Sequence, residues 1–150
     1  MSIQVRPLKD GDFFPWLGLF EGYSEFYQSK LTDEKALRVW SWLMDKNQES
    51  SGIVAVDGEE FVGFAHLREF SRPLDASRGL FLDDLFVLPD ARSQGVGATL
   101  IAFAKSLAVE RGLSIVRWIT AADNETAQRL YDKLATRTEW VTYDLDPRAA

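Results

Sequence analysis

The sequence predicts an α/β fold, and three observations carry that prediction. From Leu80 to Thr120 the chain reads strand, turn, helix, strand, which implies a right-handed parallel crossover. Asp57-Gly58 lies between the β-prone runs 53–56 and 60–67, a strong hairpin signal. The length of 150 residues suits one domain with a real core, and 46% hydrophobic with 27% charged residues is ordinary globular composition. One domain over 1–150 is therefore expected, with no repeats or linkers.

The elements follow in order. Ile3 to Arg6 alternates before Pro7, so it is a short first strand. Asp10-Gly11-Asp12 signals a helix start, and Phe13 to Tyr27 carries an aromatic face. Gly18 and Gly22 weaken that helix and suggest a bend. Thr32 caps a second helix running to about Asp45, with Leu37, Trp40, Leu43 and Met44 on one side and Trp42 off it. The hairpin 53–67 comes next, then a loop over 68–77. Arg78 to Val87 is the central strand, and Pro89 ends it. A long helix spans Gly95 to Arg111, and Gly112 stops it. Ser114 to Thr120 is a strand. Asp123 or Asn124 caps a helix to about Ala135, and Glu139 to Leu145 alternates as a last strand.

Composition excludes several functions. Seventeen basic against 23 acidic residues give a net charge of −6, which disfavours a nucleic-acid backbone as partner. There is no cysteine, so disulfides, Cys-ligated zinc and Cys nucleophiles are ruled out. The single histidine, His66, falls in a strand pattern, where packing is the commoner role and general-base work the rarer one. No apolar run nears the ~20 residues of a membrane span, and the N-terminus lacks the apolar core of a signal peptide. A cytoplasmic location is expected.

The turn Arg92-Ser93-Gln94-Gly95-Val96-Gly97 opens the long helix. The first helical amides have no partner within the helix, and the helix dipole makes that end positive. Glycines let an anion approach, so 92–98 fits a pyrophosphate cradle with Arg92 as an added cation. The same turn also serves as a plain cap on a core helix. It is not a P-loop, because Ala98-Thr99 stands where Lys-Ser/Thr would be. Nor is it a dinucleotide fingerprint, whose third glycine would fall at Leu100.

The strand ending Leu85-Phe86-Val87-Leu88-Pro89, this turn, and the later Asn124-Glu125-Thr126-Ala127-Gln128-Arg129-Leu130-Tyr131 stand in a fixed order. Together they resemble the GNAT superfamily of acyl-CoA-dependent N-acyltransferases. The turn matches its (Arg/Gln)-x-x-Gly-x-(Gly/Ala) signature, and 124–131 matches Asn-x-x-Ala-x-x-Leu-Tyr. Leu82 to Val87 looks like the Leu-Glu-Asp-x-x-Val pattern of the polyamine and diamine acetyltransferase branch. The resemblance implies a mixed, mostly antiparallel sheet with a splayed parallel pair, flanked by about four helices. It implies acetyl-CoA as co-substrate and no metal. Amides of Gln94, Gly95, Val96, Gly97 and Ala98 would hold the pyrophosphate, with Arg92 beside them. Main-chain groups around Leu85, Phe86 and Val87 would pair with the pantetheine arm. Asn124 would contact that arm.

Acetyl transfer needs a base for the amine proton and an acid for the departing thiolate. The resemblance gives Tyr131 the acid role, which a phenol protonated at neutral pH suits. It gives Asp83 the base role. Adjacent strand residues point to opposite faces, so Asp83 and Asp84 are expected to divide, one toward the acceptor and one toward structure. Without cysteine, the amine attacks the thioester directly in a ternary complex. Tyr23, Tyr27, Trp40, Trp42, Trp140 and Asp84 are candidates to line the acceptor site, between the first two helices, the 68–77 loop and the last strand. An aromatic cage suits a cationic amine, and aromatics equally build cores. Glu21, Glu25 and Asp33 could attract a cation.

The family often continues Leu-Gly-Phe after its second signature, where this chain has Leu134-Ala135-Thr136. Many relatives also carry two closing strands. An open sheet edge covered by a second copy is expected, hence a homodimer. The expected function is acetylation of a small-molecule primary amine. The alternatives are a non-catalytic acyl-CoA-binding module and a peptide or protein N-acetyltransferase.

Overall fold

The computed structural model describes residues 2–149, which form two compact units divided between Ile119 and Thr120. The first unit holds β1 (Ile3–Pro7), α1 (Phe13–Phe26), α2 (Asp33–Met44), β2 (Ser50–Asp57), β3 (Glu60–Arg72), β4 (Ser77–Val87), α3 (Val96–Glu110) and β5 (Val116–Trp118). The second holds α4 (Glu125–Leu134). The five strands make one mixed sheet in the order β1-β2-β3-β4-β5. Every pair is antiparallel except β4–β5, which is parallel, as the crossover through α3 requires. No helix among the described residues is long and apolar enough to cross a membrane.

Strand alternation assigns the two faces. Val54, Val56, Phe64 and Phe86 pack with Leu19 of α1. On the other face a Cβ at Gly63 would meet Val96 and Leu100 of α3. The α1–α2 contact is aromatic: Trp16 is fully buried, with Trp40 at 5.0 Å and Phe13 at 5.9 Å between ring centroids. The face of α2 that turns inward is Ala36, Val39, Trp40 and Leu43. Met44 packs there too, so of the four expected residues only Leu37 is exposed, its place being taken by Ala36 and Val39.

Several expectations need correction. Residues 68–72 extend β3 rather than form a loop, and a 3₁₀ turn at Pro73–Asp75 joins it to β4. Helix α1 is unbroken at Gly22, where a Cβ would lie 3.1 Å from the Phe86 ring. That glycine serves close helix–strand packing instead of a bend. Asp12 precedes α1 without capping it. Its buried carboxylate accepts from Arg6 (2.7 and 3.2 Å) and from the Lys9 amide (2.9 Å), tying β1 to the start of α1. Thr32 does cap α2, its hydroxyl accepting from the Lys35 amide at 3.2 Å.

In the second unit, Asn124 caps α4 through a 3.2 Å bond from the Ala127 amide. The expected strand over 139–145 does not form. Alternation supplies a face, and a strand also needs a ladder partner. Trp140, Val141, Tyr143 and Leu145 are all exposed.

Candidate functional site

Strand β4 changes character at one residue. Asp84 pairs with His66, but the next pair back is Leu82 with Leu67, so Asp83 is the extra residue of a β-bulge. The parallel ladder to β5 pairs Leu80, Phe81 and Leu82 and stops there. Main-chain groups along a strand point alternately to its two edges. The Leu88 amide donates to Val62 of β3, so Phe86 and Asp84 share that edge. Leu85 and Val87 therefore turn their main-chain groups to the opposite edge, beyond the end of the β5 ladder. Before the bulge the parity is reversed, since Leu80 donates to Ile115 on the β5 side. One inserted residue thus opens a stretch of strand edge.

That edge leads to the glycine turn. After the 3₁₀ turn Pro89–Ala91, Ser93 and Gly95 both adopt positive φ (64° and 81°) and α3 begins at Val96. The space where a Gly95 side chain would stand is open within 4 Å. No acidic residue occupies the first turn of α3, which leaves its amides and dipole uncompensated by charge. Arg92 donates from Nε to the Val87 carbonyl at 3.0 Å, and its guanidinium lies 5.7 Å from both the Phe26 and Phe86 ring centres. Arg92 therefore sits where strand edge and turn meet. A strand edge for an extended amide chain and an amide-lined helix start for an anion fit the acetyl-CoA expected from the sequence.

The two carboxylates divide as expected, Asp84 toward a cavity and Asp83 to an arginine, but the bulge and not strand alternation divides them. Asp84 reaches His66, with Oδ2 2.8 Å from Nδ1. Asp83 reaches Arg68 through two bonds of 3.0 Å. His66 and Arg68 are two apart on β3 and share a face, so both acids lie on that face. Arg68 also lies 5.0 Å over the Phe81 ring. Both Asp83 oxygens are thus engaged by one guanidinium.

Asp84 belongs to a buried chain of hydrogen bonds. The Trp16 indole N–H donates to His66 Nε2 at 3.0 Å. An indole only donates, so Nε2 accepts and the neutral ring carries its proton on Nδ1, aimed at Asp84. The Tyr23 hydroxyl lies beside the same carboxylate and favours its charged form. Burial alone would raise the Asp84 pKa, but the His66 hydrogen bond, with Tyr23 beside it, outweighs burial and holds it below the usual carboxylate range. Burial, then the Asp84 charge, pushes the Tyr23 phenol well up. Tyr23 therefore keeps its proton beside Asp84 at physiological pH.

Asp84 and Tyr23 open into a cavity of about 460 Å³. Phe20, Tyr27, Lys30, Lys35 and Trp42 are among its other lining residues, drawn from α1, the 28–31 turn and α2. The turn is fixed by Gln28 at φ 54° and by the Ser24 hydroxyl donating to the Ser29 carbonyl. Of the expected acceptor residues, Tyr23, Tyr27, Trp42 and Asp84 come together here. Trp40 does not line the cavity, because it packs on Phe13 and Trp16. Neither do the 68–77 segment, Glu21, Glu25 and Asp33. Trp140 is exposed in the second unit, where Tyr131 is half-buried on α4. Lys30, Lys35 and Arg38 were missed, since isolated bases in ordinary helical and turn sequence carry no motif.

The family model of the GNAT acetyltransferases matches residues 16–135. The D-amino-acid N-acetyltransferase HPA3 of Saccharomyces cerevisiae is 32% identical over 143 residues, covering 94% of this chain and 89% of the relative. An aminoglycoside N(6')-acetyltransferase type 1 of Klebsiella aerogenes is 31% identical over 113 residues, 72% of each chain. The crystal structure of a probable acetyltransferase superposes with a TM-score of 0.84 at 28% identity, covering 100% of both chains. With the bulged β4, the glycine turn and these matches in agreement, the chain belongs to the GNAT family of N-acetyltransferases.

Proposed function

We propose that this acetyltransferase moves an acetyl group from acetyl-CoA to a small-molecule primary amine by direct attack, within one catalytic domain over 1–150. The observation that carries the reading is the β4 edge, where Leu85 and Val87 point away from β3 toward the turn 92–98. On this reading they hold the amide arm, and the amides of Gln94 to Ala98 with Arg92 hold the pyrophosphate. The thioester supplies an electrophilic carbonyl. The acceptor nitrogen bonds to that carbonyl carbon, the C–S bond breaks, one N–H proton leaves the nitrogen and the thiolate gains one.

Asp84 is the carboxylate we assign to the amine, in place of Asp83, because Asp84 lines the cavity and both Asp83 oxygens are held by Arg68. A carboxylate of low pKa is a weak base. It suffices here, because the nitrogen becomes strongly acidic once bonded to the carbonyl carbon. His66 and Tyr23 orient it. Tyr131 is assigned the thiolate's proton and Asn124 a contact to the cofactor arm, both on the family signature at 124–131. The two relatives named above act on small molecules, which supports a small acceptor over a protein one.

Isothermal titration with acetyl-CoA tests this reading, on the native chain and on Gly97→Glu. Micromolar binding that the substitution abolishes supports it. A folded native chain that binds no acetyl-CoA overturns it.

A further inference from the structure

Resting on the transfer reading above, we propose that the acceptor carries a carboxylate as well as its amine, and so belongs to the amino-acid class. The cavity contains one acid and three bases. Asp84 stands at its buried end, with Lys30, Lys35 and Arg38 on exposed parts of the lining. Arg38 shares an exposed ion pair with Glu34 at 3.5 Å. Among the described residues, Lys30 and Lys35 have no ion-pair partner. The acids that would reverse the sign, Asp33 and Glu34 on α2 and Glu21 and Glu25 on α1, do not line the cavity. The opening is thus locally positive on a chain whose net charge is −6.

This pattern discriminates between amines. A diamine that places one ammonium at Asp84 brings its second toward two unpaired lysines, a like-charge contact that selects against it. An amino acid brings its amino group to Asp84, reacting as the free amine after losing its extra proton to solvent, and its carboxylate toward Lys30 and Lys35. Its side chain meets the apolar wall of Phe20, Leu31, Val39 and Trp42. Asp84 thus fixes the amine, and the two lysines fix which kind of amine.

The test starts with acetyl-CoA titration, followed by initial rates of thiol release at saturating acetyl-CoA. The acceptors are D-phenylalanine, L-phenylalanine, phenethylamine (which lacks only the carboxylate) and 1,4-diaminobutane. At least one phenylalanine enantiomer is expected to exceed phenethylamine in kcat/KM by about tenfold, through KM, as a charge-assisted contact predicts. In the Lys30→Met/Lys35→Met variant that ratio falls to about 1, and added salt lowers it in the native chain. Phenethylamine or the diamine turned over as well as phenylalanine, a ratio unmoved in the variant, or no turnover of any acceptor overturns the proposal. A folded chain that binds no acetyl-CoA overturns the transfer reading itself, which separates the two failures.

Discussion

The strand edge proposed for the cofactor and the cavity proposed for the acceptor lie against the same strand, yet they are built in opposite ways. Residues 85–98 work through main-chain groups: a bulge frees the strand edge, and a left-handed glycine starts a helix whose amides point outward. The cavity works through side chains brought from α1, a turn, α2 and β4, segments up to about sixty residues apart. A backbone-built site tolerates most side-chain changes and fails at its glycines. A site built of side chains fails one group at a time, and each failure reads out a separate role. Substitutions on either side of that divide can therefore break or sharpen the contrast.

The largest effect is expected at Asp84. Asp84→Asn keeps the shape and removes the proton acceptor, so kcat/KM should fall by about 10²–10³-fold, within the span of general acid–base catalysis. Acetyl-CoA affinity should not move, because no main-chain group of 85–98 changes. Steady-state rates beside a cofactor titration check both halves. A loss below roughly tenfold would remove Asp84 from the proton's path.

His66 comes next, because it acts through Asp84. His66→Leu leaves the buried Trp16 N–H without an acceptor and Asp84 without its closest donor, a loss of about 1–3 kcal/mol. The sign with pH follows from the lowered folded-state pKa of Asp84. Its contribution is fully present above the unfolded carboxylate value of ~3.9 and is lost as pH falls through the folded value. In His66→Leu that carboxyl rises toward the ordinary range. The acid-side loss of stability shrinks, and the acidic limb of kcat/KM moves to higher pH. Denaturant melts from pH 3 to 7, with rate profiles over the folded range, measure both. A general packing defect would lower stability without moving the limb.

The difference in construction also explains what could be read in advance. The turn and the start of α3 were legible because main-chain geometry is specified by neighbours in sequence: Gly95, Gly97 and the strand before them. Tyr23 and Tyr27 were legible as aromatics on one helix face. The pairing of Asp84 with His66, eighteen residues away, was not, because it depends on β3–β4 register. The bulge at Asp83 was hidden for the same reason, and with it the fate of the two acids. Alternation alone sent Asp83 and Asp84 to opposite faces, and one unpaired residue cancels that rule. Helical spacing put Trp40 on the inward side of α2 and Trp42 off it, and so it is, but spacing could not say that the outward position faces the cavity. The strand expected at 139–145 failed because a two-residue period records side-chain polarity and says nothing of a ladder partner.

Gly95→Ala probes the backbone side. Holding alanine at φ 81° costs about 1–2 kcal/mol, and relaxing it tilts the first amides of α3. Acetyl-CoA affinity should drop by about two- to fivefold if half of that strain is relieved at the expense of the cradle, and by more if all of it is. The acceptor KM at saturating cofactor should stay constant. Calorimetric titration measures the first and initial rates the second. A variant that loses stability but binds acetyl-CoA normally would mean that Gly95 shapes the helix start without shaping the anion site.

The smallest effect is expected one residue from the largest. Asp83→Asn breaks the paired contacts to Arg68, but both side chains are about a third exposed, and such a pair contributes only about 0–1 kcal/mol. Arg68 keeps its place over Phe81, so the guanidinium does not swing into the cavity. The rate should change by less than about fivefold, which is what 1 kcal/mol allows. Asp83 and Asp84 are the same residue type, adjacent in sequence and on one face after the bulge. What separates them is their partners. A bidentate arginine leaves Asp83 no oxygen for an amine, whereas His66 and Tyr23 orient Asp84 and leave it facing the cavity. If Asp83→Asn proved the more damaging substitution, the Arg68 pair would have to open when acceptor binds. The proton would then leave through the carboxylate that the sequence pattern alone had favoured.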